Sequence, residues 1–212
     1  MSIHKTVQGL LLTGVVVLAG MGIGFRAEPA SHGQTTDPSV HAAHSMSLGP
    51  ADDSFDLRFI DAMIPHHEGA VLMAKEALEK SRRPEIRQLA EAIIAAQSQE
   101  IEQMQAWRLS WYPEAPPYAL MWHEEMGHMM AMTPEKLFDM RMDRDLGSAD
   151  AQFDQRFIEA MILHHEGALL MAEEALQKSQ RPEIWQLAEA ILANQQAEIA
   201  QMRAWQHQWY PQ

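Results

Sequence analysis

Apolar residues recur three and four positions apart through most of this chain, the spacing of one helix face rather than of a strand. At about 100° per residue, Phe59, Met63, His66, His67, Ala70 and Met73 fall in one sector. On the next stretch Ile86, Leu89, Ile93, Gln97, Glu100, Met104, Trp107 and Trp111 form a narrower stripe, interrupted by two polar side chains. The pattern predicts a helix from about Ser54 to Lys80, a break at Ser81 to Pro84, and a second helix from Pro84 to about Trp111, ahead of Pro113. Alternation of β-branched residues is nearly absent, so strands are not the main element.

The pattern then repeats. Phe55 to Pro113 laid on Phe153 to Pro211, at an offset of 98, agrees at 42 of 59 positions without a gap. This reads as a tandem duplication, with a second hairpin broken at Ser179 and restarted by Pro182 and Glu183. Identity between copies says little about the importance of any residue, because a recent duplication preserves bystanders; what it supplies is symmetry. Four helices of about 27 residues, near 40 Å each, predict an all-α antiparallel four-helix bundle with a pseudo-twofold axis. The hairpins occupy 53–113 and 151–212, joined by a linker at 114–150. In the linker a short helix is expected around Met121 to Met130, and another with Thr133 as cap and Pro134 in its first turn.

Upstream the rhythm disappears. Leu10 to Phe25 carries no charge, which predicts an export segment over 1–27, either a cleaved signal peptide or a retained membrane anchor. The body is then expected outside the cytoplasm, periplasmic or secreted. Residues 28–52, with Pro29, Gly33, Pro38, Gly49 and Pro50, read as a flexible tether.

Charge and composition narrow the partners. With 29 Asp and Glu against 16 Lys and Arg, the net charge of −13 argues against nucleic acid. Cysteine is absent, which removes disulfides, thiolate metal sites and thiol nucleophiles together. The 16 Met and 11 His leave thioether and imidazole as the neutral ligands. In a hairpin turning near Ser81 to Pro84, facing positions sum to roughly 165. His66 and His67 are thus expected opposite Gln97 and Glu100, one turn from Met63 and Met104. The second copy offers Met161, His164, His165, Gln195, Glu198 and Met202.

Two readings satisfy such a layer. One is a hydrogen-bonded polar layer that fixes bundle register, with Met as pliable filler; for any single Met or His it is the better reading. The other makes Met and His ligands for Cu(I), with Met63 and His67 at i and i+4, and with Glu100 and Glu198 orienting the imidazoles. A second metal candidate lies in the linker, where His123, Met126, His128, Met129, Met130 and Met132 crowd within ten residues; its alternative is an amphipathic cap over the bundle end. His41, His44 and Met46 in the tether read as solvated.

The string F-D-x-R-F-I-[DE]-A-M-I-x-H-H-E-G-A-x-L-M-A, followed by L-A-E-A-I-x-A-x-Q and E-I-x-x-M-x-A-W, resembles the DUF305 family over Phe55 to Trp107 and again over Phe153 to Trp205. The resemblance implies an exported protein related to ferritin-like bundles, some of which handle copper, and a role in copper binding and tolerance or Cu(I) sequestration. The family's Met-Ile-x-His-His motif falls on Met63, His66 and His67, and on Met161, His164 and His165. Two departures stand out: Pro65 of the first copy is Leu163 in the second, and a Met-rich segment before the F-D motif, Gly127 to Asp145, serves only the second copy. A ferritin-like di-metal enzyme needs inward Glu and two Glu-x-x-His motifs. Here Met63 and Met161 stand three before His66 and His164, and Glu125 to His128 is the lone Glu-x-x-His. The expectation is therefore a copper-binding protein and not an enzyme, with a metal ion as partner, membrane contact through its N-terminal segment and an unidentified copper-transport partner. A protein-interaction bundle, presenting surfaces around Trp122, Trp185 and Trp209, is the alternative without metal.

Overall fold

The computed structural model describes residues 47–211. The export segment, together with His41, His44 and Met46, lies outside them. Five helices and one hairpin follow in order: α1 (Phe55–Lys80), α2 (Pro84–Trp111), β1 (Leu120–His123), β2 (His128–Ala131), α3 (Pro134–Arg141), α4 (Phe153–Lys178) and α5 (Pro182–Trp209). The breaks fall where the sequence places them. Pro84 and Pro182 open α2 and α5, where a missing N–H costs nothing, while Arg83 and Arg181 before them are extended. α1 runs unbroken through Pro65. Among the described residues no helix is long and apolar enough to cross a membrane.

α1 packs on α2, α4 packs on α5, and the two first helices pack on each other. They cross antiparallel, as the two buried clusters show. One joins Phe55, Phe59 and Met63 from the start of α1 to Met171 and Ala175 from the end of α4. The other joins Met73 and Ala77 from the end of α1 to Phe153, Phe157 and Met161 from the start of α4. The histidine pairs sit midway between the two.

The expected helix over Met121 to Met130 is instead a two-stranded hairpin, with Met121 opposite Met130 and His123 opposite His128. Its turn closes through the Gly127 N–H donating to the His123 carbonyl, with Gly127 at φ +64°, a left-handed conformation that favours glycine. Tertiary anchoring overrides the local helical preference. The buried Asp61 carboxylate of α1 accepts the Leu120 N–H at 2.8 Å and the Arg108 guanidinium at 2.5 Å, pinning the strand to the bundle. The expected second linker helix is present as α3, with the Thr133 side chain accepting the Lys136 N–H as cap.

Residues 47–52, expected as the end of a flexible tether, are docked. Leu48 is buried, and Arg58, itself buried, donates to the Leu48 and Pro50 carbonyls at 2.6 Å and to Asp52 at 2.9 Å. Arg156 grips Leu146, Ser148 and Asp150 in the same way. The likeness between copies thus reaches upstream to Leu48-Gly49-x-Ala51-Asp52 and Leu146-Gly147-x-Ala149-Asp150. Each leader is held by the opposite hairpin: Lys178 donates to the Gly49 carbonyl at 2.5 Å and Lys80 to the Gly147 carbonyl at 2.6 Å. Arg83 stacks on Trp209 and Arg181 on Trp111 with the same reciprocity, at 4.2 and 4.3 Å.

Arg58→Met keeps the bulk but leaves the Leu48 carbonyl without its buried donor, while Asp52, 42% exposed, turns to water. A loss of about 1–3 kcal/mol in urea unfolding is expected. Arg156→Met should cost about 1 kcal/mol or less, because the Arg156 side chain is 34% exposed against 1% for Arg58.

Candidate metal centre

Consecutive residues on a helix point about 100° apart, and that angle gives the two histidines of each pair different neighbours. His67 faces across its own hairpin, its Nε2 2.7 Å from a Glu100 carboxylate oxygen; His165 meets Glu198 likewise at 2.6 Å. These pairings match the hairpin register expected from the sequence. His66 does not face Gln97 as expected. It turns toward the other hairpin, where its ring stacks on that of His164 with centroids 3.9 Å apart. The His66–His164 stack lies at the midpoint of the α1–α4 crossing.

The linker enters here. His66 Nδ1 lies 2.8 Å from the Met140 carbonyl and its Nε2 lies 3.0 Å from the His164 carbonyl, while His164 Nε2 lies 3.1 Å from the Arg141 carbonyl. The last carbonyls of α3, the negative end of its dipole, therefore reach the layer. Gly69 makes room for them: a Cβ at that position would stand 1.8 Å from the Arg141 oxygen. Met142, just beyond, turns the chain away with φ +48°.

Proton accounting separates the four rings. A neutral imidazole has one N–H and one lone pair. In His67 and His165 Nε2 donates to a carboxylate, and in His164 Nε2 donates to a carbonyl, which in the neutral ring leaves the lone pair on Nδ1. All three of those Nδ1 atoms are buried without a hydrogen-bond partner. His66 has a carbonyl oxygen at each nitrogen; the neutral ring donates to one of them, and its remaining lone pair is turned toward the other oxygen and closed off from an ion. Burial pushes its pKa down to about 4, against the upward pull of the Met140 carbonyl; burial also holds His164 well below its ordinary value, helped by the neighbouring histidines.

Sulfur flanks the layer. Met63 and Met104 lie in one buried cluster, Met161 and Met202 in the other, all at 0% exposure. Among the described residues no three His, Asp or Glu side chains are grouped to hold an ion, so any ion in this layer needs thioether donors as well. The linker makes the two sides unequal by adding Met132 and Met140 to the cluster that holds Met63. The hairpin residues do not form one site. Met132 is buried, Met129 and Met130 are half-buried, and Met126 and His128 are exposed at the tip. His123 lines a separate surface pocket with Met121, Met132 and Met140. Met140 and the α3 carbonyls escaped the sequence reading because a main-chain acceptor leaves no mark in residue identity. The glycine two positions after His67 was the visible trace of their approach.

Comparison with known proteins fits this architecture. The model of the domain of unknown function DUF305 matches residues 56–206. The chain belongs to the DUF305 family. The structure of CopM in its Cu(II)-bound form is 38% identical, with a TM-score of 0.59, over 73% of this chain and 97% of that one. CopM in its Cu(I)-bound form gives 36% and 0.57 over the same shares. A DUF305 fragment from Deinococcus radiodurans is 28% identical with a TM-score of 0.57, covering 74% and 97%. An uncharacterised protein, L153, of Acanthamoeba polyphaga mimivirus is 41% identical over 49 residues, 23% of this chain; the match spans about a third of that relative's length, 32%. The DUF305 chain described here is thus copper-related at the level of its family.

The depressed histidine pKa values fix a pH dependence for the metal-free protein. The unfolded chain, with His66 at its ordinary 6.5, takes up a proton before the folded chain does at about 4. Stability is therefore full above about pH 6.5 and is lost as pH falls toward 4, by on the order of 3 kcal/mol for His66 alone. Thermal melts from about pH 7 down to about pH 4 should show this fall, and His66→Gln should reduce it, leaving the part due to His164.

Proposed function

We propose that this protein is a copper-binding bundle that works outside the cytoplasm, exported or held at a membrane by its N-terminal segment, and that it holds Cu(I) without turning over a substrate. One observation carries the reading: three buried imidazoles, His67, His164 and His165, have Nε2 committed to an oxygen acceptor and Nδ1 without a partner. Leaving a buried polar atom unpaired costs about 1–3 kcal/mol, so a purely structural layer has no reason to keep three. A metal ion gives those lone pairs a partner. The carboxylate–imidazole pairs are of the kind that orient and strengthen a metal-bound histidine, with Glu100 and Glu198 outside the ion's own ligands.

The donors proposed are drawn from Nδ1 of these three histidines and the thioethers of Met63, Met104, Met161 and Met202, with no one ion held by all three rings, because no three His, Asp or Glu side chains are grouped to hold an ion among the described residues. Neutral nitrogen and sulfur suit a soft monovalent ion in a water-poor layer. His66, with a carbonyl oxygen of α3 at one nitrogen and of α4 at the other, keeps a structural role where the three helices meet. The copper- and silver-bound forms of CopM support the same class of ion. Sequestration, or hand-over to a copper-transport partner, follows as the biological use.

Anaerobic Cu(I) competition against a chromogenic chelator is the direct check. Met63→Leu, His67→Ala, Met161→Leu and His165→Ala should each weaken binding, by roughly 10-fold or more for a lost donor, whereas Met126→Leu at the exposed hairpin tip should leave it unchanged. Undiminished binding in the combined core variant would relocate the site to the hairpin, and no uptake by the unmodified protein would leave the layer structural.

A further inference from the structure

Every histidine of the layer is at most 1% exposed, so an ion needs a way in. One side is stopped by α3, whose Met140 and Arg141 carbonyls are bonded to His66 and His164 over Gly69. On either side of the layer, the intra-hairpin interfaces and the α1–α4 crossing are packed with apolar side chains. The remaining approach is the seam between α2 and α5. A small cavity there, with about 10 Å³ of free space, room for on the order of one water, is lined by Gln97 and Glu100 of α2 and by Gln195 and Glu198 of α5. Gln97 and Gln195 are each only 3% exposed, and the side-chain oxygen of each is buried without a partner. Glu100 and Glu198, on the cavity wall, each spend one oxygen on His67 or His165. Glu100 also borders a wider surface groove with Trp107, Asn194 and Ala96.

We propose that this seam is the entry port of the layer, a transient cation site in which two amide oxygens and two carboxylates replace the water shell of an incoming ion before it passes to the imidazoles. The inference rests on the proposed metal-binding function. Two buried amide oxygens without donors, paired by the pseudo-twofold axis and adjoining two carboxylates, are what a passing cation requires. Oxygen donors hold a soft ion only weakly, so it is not trapped at the mouth, and the nitrogen and sulfur behind them are the stronger ligands. Glu100 and Glu198 join the two stations, because each touches both the cavity and the ring it orients.

A port changes rates, not the final equilibrium, and this sets the test. Ag⁺, a redox-stable monovalent probe, is mixed with the full-length metal-free protein while tryptophan emission is followed by stopped flow; affinity is measured separately by equilibrium titration. The double variant Gln97→Leu and Gln195→Leu should load and release Ag⁺ roughly 10-fold more slowly, the factor that corresponds to about 1.4 kcal/mol in the barrier, with affinity held within about twofold. Ala96→Leu at the groove mouth removes no polar group and should also slow loading, which keeps the test alive if the double variant fails to fold. Unchanged loading in Ala96→Leu, or in a folded double variant, would overturn the port. Loss of affinity in the double variant together with rate would make the glutamines resting ligands and overturn it equally. Absence of Ag⁺ uptake by the unmodified protein defeats the metal-binding reading and the port with it, whereas normal affinity with unaltered rates defeats the port alone.

Discussion

Water is excluded from the place where α1 and α4 cross, and four imidazoles lie there. Charging a ring in such surroundings is expensive, so His66 and His164 stay neutral through the physiological range, and a neutral ring has a single N–H to spend. The Arg141 carbonyl thereby decides which nitrogen of His164 keeps its lone pair. Glu100 and Glu198 engage the same nitrogen, Nε2, of His67 and His165, so three of the rings turn Nδ1 away from their oxygen partner. The fold can be regarded as the apparatus that delivers these acceptors: a tight hairpin register brings each glutamate to its histidine, and the linker brings the carbonyls.

The linker also breaks the symmetry that the two hairpins establish. α3 approaches one side of the layer alone, through the gap left by Gly69, and adds Met132 and Met140 to the cluster around Met63. Met161 and Met202 receive no methionine from the linker, which gives their cluster Leu146 instead. Two hairpins nearly equal in sequence thus present unequal sulfur environments, and His66 and His164, stacked face to face, carry different hydrogen-bond loads. The difference between Pro65 and Leu163 accompanies this asymmetry, although α1 continues through the proline without interruption.

Much of this was legible in residue spacing. The four long helices follow from apolar periodicity and the two prolines that restart it, and the His67–Glu100 pairing follows from the register of a short turn. What periodicity does not carry is the direction of one histidine relative to the next once a second hairpin arrives, and His66 accordingly finds a partner the local pattern does not show. The β-hairpin escaped for a related reason: Leu120 to Ala131 has no strong alternation, and its strand is fixed by Asp61, about sixty residues away in the chain. The docked leader at 47–52 resembles a tether in composition, because glycine and proline mark a flexible segment and a sharply bent, anchored one alike. Arg58 and the recurrence of Leu-Gly-x-Ala-Asp were the features that separated the two cases.

The reciprocal grips on the leaders have a consequence for how the molecule comes together. The lysine that ends α1 holds the segment ahead of α4, and the lysine that ends α4 holds the segment ahead of α1, with an arginine of each hairpin lying on a tryptophan of the other. Neither hairpin completes its own ends. Assembly is in that sense mutual, as with two clasped hands, and half of the chain in isolation would display a bare imidazole face and a leader held by its own arginine alone. Whatever enters the centre is enclosed by two partners that each depend on the other to stay shut.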